Sequence, residues 1–151
     1  MTLRFRLDPV LELRRRRSET IESALAEIER RRAVHASAVD EIRCEMNEVR
    51  AGLLRRQATG KVDLRAIAQA QAYHELLERR LVRAEAVLAE TCRQADATRA
   101  ELVVAYQDQK AIEKLKQREQ ERNDAEARTQ EIKLGEEIAT VRFNLRARGS
   151  P

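Results

Sequence analysis

Residues 21–53 read IESALAEIERRRAVHASAVDEIRCEMNEVRAGL, and the apolar residues Ile21, Leu25, Ile28, Val39, Ile42, Met46, Val49 and Leu53 recur within them by threes and fours. That spacing holds them on one stripe of an α-helix and is the seam of a coiled coil. Extended toward the N-terminus, the same register lands on Leu11 and Leu7, with Arg14, Ser18, Arg32 and His35 as polar interruptions. Asp8 followed by Pro9 predicts the start of this helix, because aspartate can accept a hydrogen bond from a first-turn amide and proline supplies the fixed φ of the first helical position. From Gly52 to Gly60 the pattern loosens, and Thr59-Gly60 followed by Asp63 predicts a stop, a short turn and a fresh cap.

Beyond the turn a second seam runs through Ile67, Ala70, Leu77, Leu81, Ala84, Leu88, Ala95, Leu102, Ala105 and Ile112, with His74, Thr91, Thr98 and Gln109 as its polar members. Small alanines facing larger residues permit close antiparallel packing. A turn centred on Thr59-Gly60 would set Leu53 near Ile67, Leu25 near Ala95 and Leu7 near Ile112. The stretch from Lys116 to Glu131 is almost wholly polar, with Glu113/Lys116 and Glu119/Arg122 at i,i+3 spacing, as in a solvated single helix. Ile132, Ile138, Val141, Phe143 and Leu145 then restore an apolar stripe, one without a hairpin partner, which points to docking.

The expectation is an all-α fold: a long two-helix antiparallel coiled-coil hairpin whose second helix is longer than the first. It forms a single elongated domain, with helix one at about 8–57, a turn at about 58–62, helix two at about 63–141 and a frayed tail at 146–151. Composition agrees. The chain has 151 residues, 37% of them charged and 3% aromatic, with no tryptophan, which suits helices and leaves too few large side chains for a globular core. Four glycines and two prolines leave long stretches that nothing stops from being helical. Residues 1–6 lack an apolar run of signal-peptide length, and no stretch approaches the roughly 20 apolar residues of a membrane span, so the expected location is the cytosol. Cys44 and Cys92 form no CxxC pair and lie several turns apart in the hairpin, so both are expected as thiols.

The net charge is +4, and Arg4, Arg6 and Arg14 to Arg17 against only Asp8 and Glu12 concentrate positive charge near the N-terminus. Without interleaved aromatics or a recognised motif this does not make a nucleic-acid site, and no nucleic-acid partner is expected. His74-Glu75 opens like a HExxH zinc motif, but Glu78 stands where the second histidine would be, so the imidazole pair is missing. His35 and His74 are better read as polar seam residues. A two-helix coil offers no cleft in which burial could separate the pKa values of two carboxylates, and no GxxxxGK[ST] loop occurs. No catalytic residue, cofactor, metal or small-molecule substrate is therefore expected. Tyr73 with Leu76, and Val103 with Tyr106, are i,i+3 pairs off the seam: partner contacts on one reading, isolated exposed apolar residues on the other.

The opening residues Phe5, Leu7, Val10, Leu11, Leu13 and Arg14 follow the pattern F-x-L-x-x-V-L-x-L-R, and Lys110, Ile112, Glu113, Lys114 and Leu115 form a basic, hydrophobic-Glu-Lys-Leu run. In both features the chain resembles the FliJ family. A later family element, a Glu, an Asp-Glu pair, a hydrophobic residue and alanine, corresponds to Glu131, Glu136, Glu137, Ile138 and Ala139, with glutamate in place of aspartate and Gly135 just before it. The resemblance implies a helical hairpin similar to the stalk of rotary ATPases, a non-enzymatic component of the flagellar export apparatus at the cytoplasmic face of the inner membrane. The partners it implies are the hexameric flagellar export ATPase, the cytosolic domain of the export-gate membrane protein, and export chaperones.

By the same resemblance, Leu7, Val10, Leu11, Ile112 and Leu115, backed by Arg14, Arg15, Arg16 and Arg17, would contact the ATPase ring. Ile42, Val49, Tyr73 and Leu77 would contact the gate. Two other readings share the architecture: the stalk protein of a virulence type III secretion system, and a structural coiled-coil spacer that stimulates no ATPase. A basic nucleic-acid-binding hairpin would differ from these by steeply salt-dependent binding through Arg14 to Arg17.

Overall fold

The computed structural model describes residues 6–60 and 63–149. They form two helices, α1 (Asp8–Ala58) and α2 (Leu64–Arg148), and no strand is found among the described residues. This is the predicted all-α helical hairpin with the second helix the longer. Phe5 of the opening motif, and Lys61 and Val62 of the expected turn, lie outside the described residues. Contacts divide the chain into two compact units, Ser18–Val104 and a second composed of the residues up to Arg17 with those from Ala105 onward.

In the Ser18–Val104 unit the seams predicted from periodicity form the core. Val39, Leu77 and Ala95 are essentially inaccessible, and the remaining seam residues of both helices are buried or half-buried with the exception of Arg32. Arg32 reaches out of the seam to Glu29, Nε to Oε2 at 2.8 Å, because a guanidinium stays solvated far more cheaply than it is buried. Thr91 is buried, yet its Oγ1 donates to the Val87 carbonyl at 2.9 Å, so the hydroxyl is satisfied by its own helix. Across the helices Arg99 pairs with Glu29, Arg43 with Glu85 at 2.8 Å, and Tyr73 with Glu45 at 3.1 Å. Residue numbers fall along α2 as they rise along α1, so the helices are antiparallel.

The reversal uses the expected chemistry. Gly60 takes a φ of +73°, the left-handed conformation that glycine adopts without a Cβ clash, and its amide donates to the Gln57 carbonyl at 3.4 Å. Asp63 caps α2, its Oδ1 accepting from the amides of Arg65 at 3.0 Å and Ala66 at 3.4 Å. The register between the helices departs from expectation. Leu53 shares a shallow hollow with Gln71 and His74, about one turn beyond Ile67. α1 ends at Ala58 and α2 begins at Leu64, and the pairs Arg43 with Glu85 and Glu29 with Arg99 set these residues of α1 opposite later residues of α2 than expected.

In the other unit Leu11 and Ala105 are buried, at 3% and 2% exposure. The same register shift places Leu7 beside Leu115, rather than Ile112, in a hollow completed by Arg118, Glu119 and Arg122. Asp8 does not act as the expected cap: the first α1 bond runs from the Leu11 amide to the Leu7 carbonyl at 2.9 Å, and the Asp8 carboxylate accepts from Lys116 Nζ at 2.8 Å. The expected i,i+3 pairs also rearrange. Glu113 accepts from Arg15 and Gln109, and Arg122 lies nearest Glu126 at 3.9 Å.

After Asn123 every described residue through Gly149 is exposed, and α2 nonetheless continues through Gly135 to Arg148, seven residues past the expected end at Val141. A Cβ built at Gly135 would meet nothing within 4 Å. Gly135→Ala is therefore expected to stabilise this segment by about 1 kcal/mol, the helix-propensity difference, which would appear as slower amide hydrogen exchange across residues 130–140.

Candidate partner-binding surfaces

The sequence-predicted ring contacts all fall in the unit that joins the start of α1 to the later part of α2, but they are not equally accessible. Leu7, Val10 and Ile112 are half-buried and Leu115 is 46% exposed, whereas Leu11 is buried. Leu11 is a seam residue and is covered in the free chain. Leu13, two residues on, projects to the other side and is 66% exposed. Leu13 is not among the contacts that the resemblance implies. Being off the seam while belonging to the opening motif is the signal that could have found it.

Around Leu13 the arginines form a collar with different tethers. Arg14 reaches across to Asp108 at 3.2 Å, Arg15 to Glu113 at 3.5 Å, and Arg16 back along its own helix to Glu12 at 3.1 Å. Arg17 is exposed. Solvent-facing pairs of this kind contribute ~1 kcal/mol or less, so these guanidiniums can be recruited by a partner's carboxylates at small cost. Tyr106 in this unit is 38% exposed.

The sequence-predicted gate contacts lie in the Ser18–Val104 unit. Ile42 and Val49 are half-buried seam residues, Tyr73 is 42% exposed, and Leu77 is completely buried. Leu77 is core, as its seam position requires, and its neighbour Leu76 is 41% exposed. Val103 is also exposed. The sequence separates Leu76 from Leu77 only through register.

The Tyr73 hydroxyl donates to Glu45 Oε2 at 3.1 Å, tying the accessible face of α2 to α1. That hydrogen bond, then the charge of Glu45, raises the phenol above its ordinary value of 10.0, with Arg80 acting weakly in the opposite sense. A tyrosine raised in the folded state contributes stability below its unfolded pKa and loses it as pH climbs through the folded value. Glu45→Gln should accordingly lower the pKa of one of the two tyrosines toward the ordinary range in a spectrophotometric titration, leaving the other unchanged.

His74 Nδ1 lies 3.4 Å from Glu78 Oε1, and among the described residues no group of three His, Cys, Asp or Glu side chains could hold a metal ion. Cys44 is exposed, Cys92 half-buried, and both are free. Among the described residues no helix is long and apolar enough to cross a membrane. The described residues present exposed apolar side chains beside an arginine collar at Leu13 and beside a tyrosine at Leu76. Compared with known proteins, residues 3–148 match the family model for FliJ, the flagellar FliJ protein. No curated protein and no solved structure matches the chain.

Proposed function

The chain belongs to the flagellar FliJ protein family, and from that membership we propose that it is the central-stalk component of the flagellar export apparatus, binding and activating the hexameric export ATPase. The observation that carries this reading is the family match over residues 3–148, which spans both helices and includes the arginine collar of the terminal unit. The stalk acts without catalysis of its own. A hairpin whose terminal unit is closed by Leu11 and Ala105 presents Leu13, Leu115 and Arg15 to Arg17 as an amphipathic plug for the acidic and apolar lining of a ring. Binding one shared stalk favours the assembled ring over free subunits, and that linkage raises ATP turnover where the ring is near its dissociation threshold.

The face formed by Tyr73, Leu76 and the half-buried Ile42 and Val49 is the contact with the cytosolic domain of the export gate, and export chaperones dock on the remaining exposed surface. The protein works at the cytoplasmic side of the membrane, held there through these partners. ATP turnover by the cognate export ATPase, measured as this protein is titrated in with size-exclusion monitoring of hexamers, tests the reading. Stimulation with hexamer formation is expected; absence of both would leave a structural coiled-coil spacer.

A further inference from the structure

The exposed end of α2 carries a stripe that the hairpin does not use. From Ile112, steps of four, three and four residues pass through Lys116, Glu119 and Asn123, all half-buried, then through Ala127 and Gln130 to Leu134, Ile138, Val141 and Leu145. Eleven residues make close to three turns, so this stripe prolongs the face of α2 that α1 covers upstream. Leu134, Ile138, Val141 and Leu145 are between 47% and 66% exposed.

The stripe is also self-complementary in reverse. Glu131 and Arg148 flank the stripe, each three residues outside its end leucine, and the spacing of Glu131, Leu134, Ile138, Val141, Leu145 and Arg148 is palindromic about the point between Ala139 and Thr140. A second copy laid antiparallel sets Leu134 against Leu145, Ile138 against Val141, and Glu131 against Arg148 at both ends. A parallel copy would instead oppose glutamate to glutamate and arginine to arginine. Within one chain Glu131 and Arg148 are ~25 Å apart along the helix and cannot meet. Gly135, beside Leu134 and with open space around it, leaves room for the second helix to approach.

We propose that residues 131–148 are a homodimerisation element, an antiparallel two-fold pairing of α2 ends in which charge at Glu131 and Arg148 sets the direction. The element lies in the same unit as the proposed ring contacts, so dimer and ring would compete, and sedimentation of the free chain tests the dimer separately from the ATPase titration. Such a short seam falls below the roughly 1,200 Å² of total burial that a standard stable interface needs. The dimer is accordingly weak, with a dissociation constant on the order of 100 μM.

Sedimentation equilibrium of the full chain up to ~1 mM tests this directly. Glu131→Arg and Arg148→Glu should each weaken the dimer about threefold or more, and the double exchange should restore it, a rescue only an intermolecular pair can give. Ile138→Asp should abolish the dimer while helicity by circular dichroism is retained, since the side chain is exposed in the single chain. With both native cysteines replaced, a mixture of Leu134→Cys and Leu145→Cys chains should form the mixed disulfide in preference to either homodisulfide. A chain monomeric throughout, a dimer indifferent to Ile138→Asp or to the charge exchange, or a dominant Leu134→Cys homodisulfide would overturn the proposal.

Discussion

Replacing Leu77 with alanine is expected to destabilise the chain by about 2–5 kcal/mol and to lower its thermal midpoint by roughly 5–20 °C. Leu77 has no residual exposure and is the largest fully buried side chain of its unit. A two-helix core is one layer thick, so the cavity left by truncation opens toward solvent on both flanks and has no second shell to collapse into it. The adjacent Leu76→Ala, at a position 41% exposed, should shift the midpoint little. Thermal melts by circular dichroism on the two variants read the contrast directly. Equal effects would mean that Leu77 does not organise the core as its burial indicates, and that the register derived for this segment is wrong.

The same pair of residues shows what the sequence conveys and where it stops. A period of three and four residues is imposed by burial alone, so it identified the seam from Leu7 to Leu53 and from Ile67 to Ile112 with only Arg32 turned outward. It also absorbed the polar interruptions: a threonine such as Thr91 satisfies its hydroxyl inside its own helix and costs the seam little. Register between helices is a different quantity. It depends on how many residues the turn consumes and on how the seam side chains interleave, and Leu7 shares a hollow with Leu115. Local pattern carries no information about that offset.

Binding surfaces were legible only in part, because the core and a docking face use the same apolar vocabulary. Leu11 and Leu77 are core in the free chain, while Leu13 and Leu76, one or two residues away, are exposed. The second helix also runs past its expected end. Gly135 lowers local propensity by about 1 kcal/mol, but surrounding residues of good propensity carry α2 to Arg148.

Reversing charge at Arg15, Arg16 and Arg17 to glutamate should reduce stimulation of the export ATPase by about tenfold or more while leaving helicity near that of the parent chain. Fold and function separate here because the tethers are weak: the pairs of Arg15 with Glu113 and Arg16 with Glu12 face solvent, so their loss costs the hairpin ~1 kcal/mol or less each. At an interface the same reversal sets glutamates against whatever carboxylates had drawn the arginines in, and like-charge juxtaposition there costs several kcal/mol. Leu13→Asp should act similarly through desolvation at an apolar contact, whereas Leu11→Asp should abolish stimulation by opening the terminal unit, with helicity falling in parallel. Stimulation by the parent chain should also weaken as salt is raised, because the collar is screened over about 10 Å at 0.1 M ionic strength. Undiminished stimulation by the triple variant would remove the collar from the ring contact. It would leave Leu13 and Leu115 as a purely apolar contact that salt does not weaken, so the salt series discriminates between the two forms of the interface.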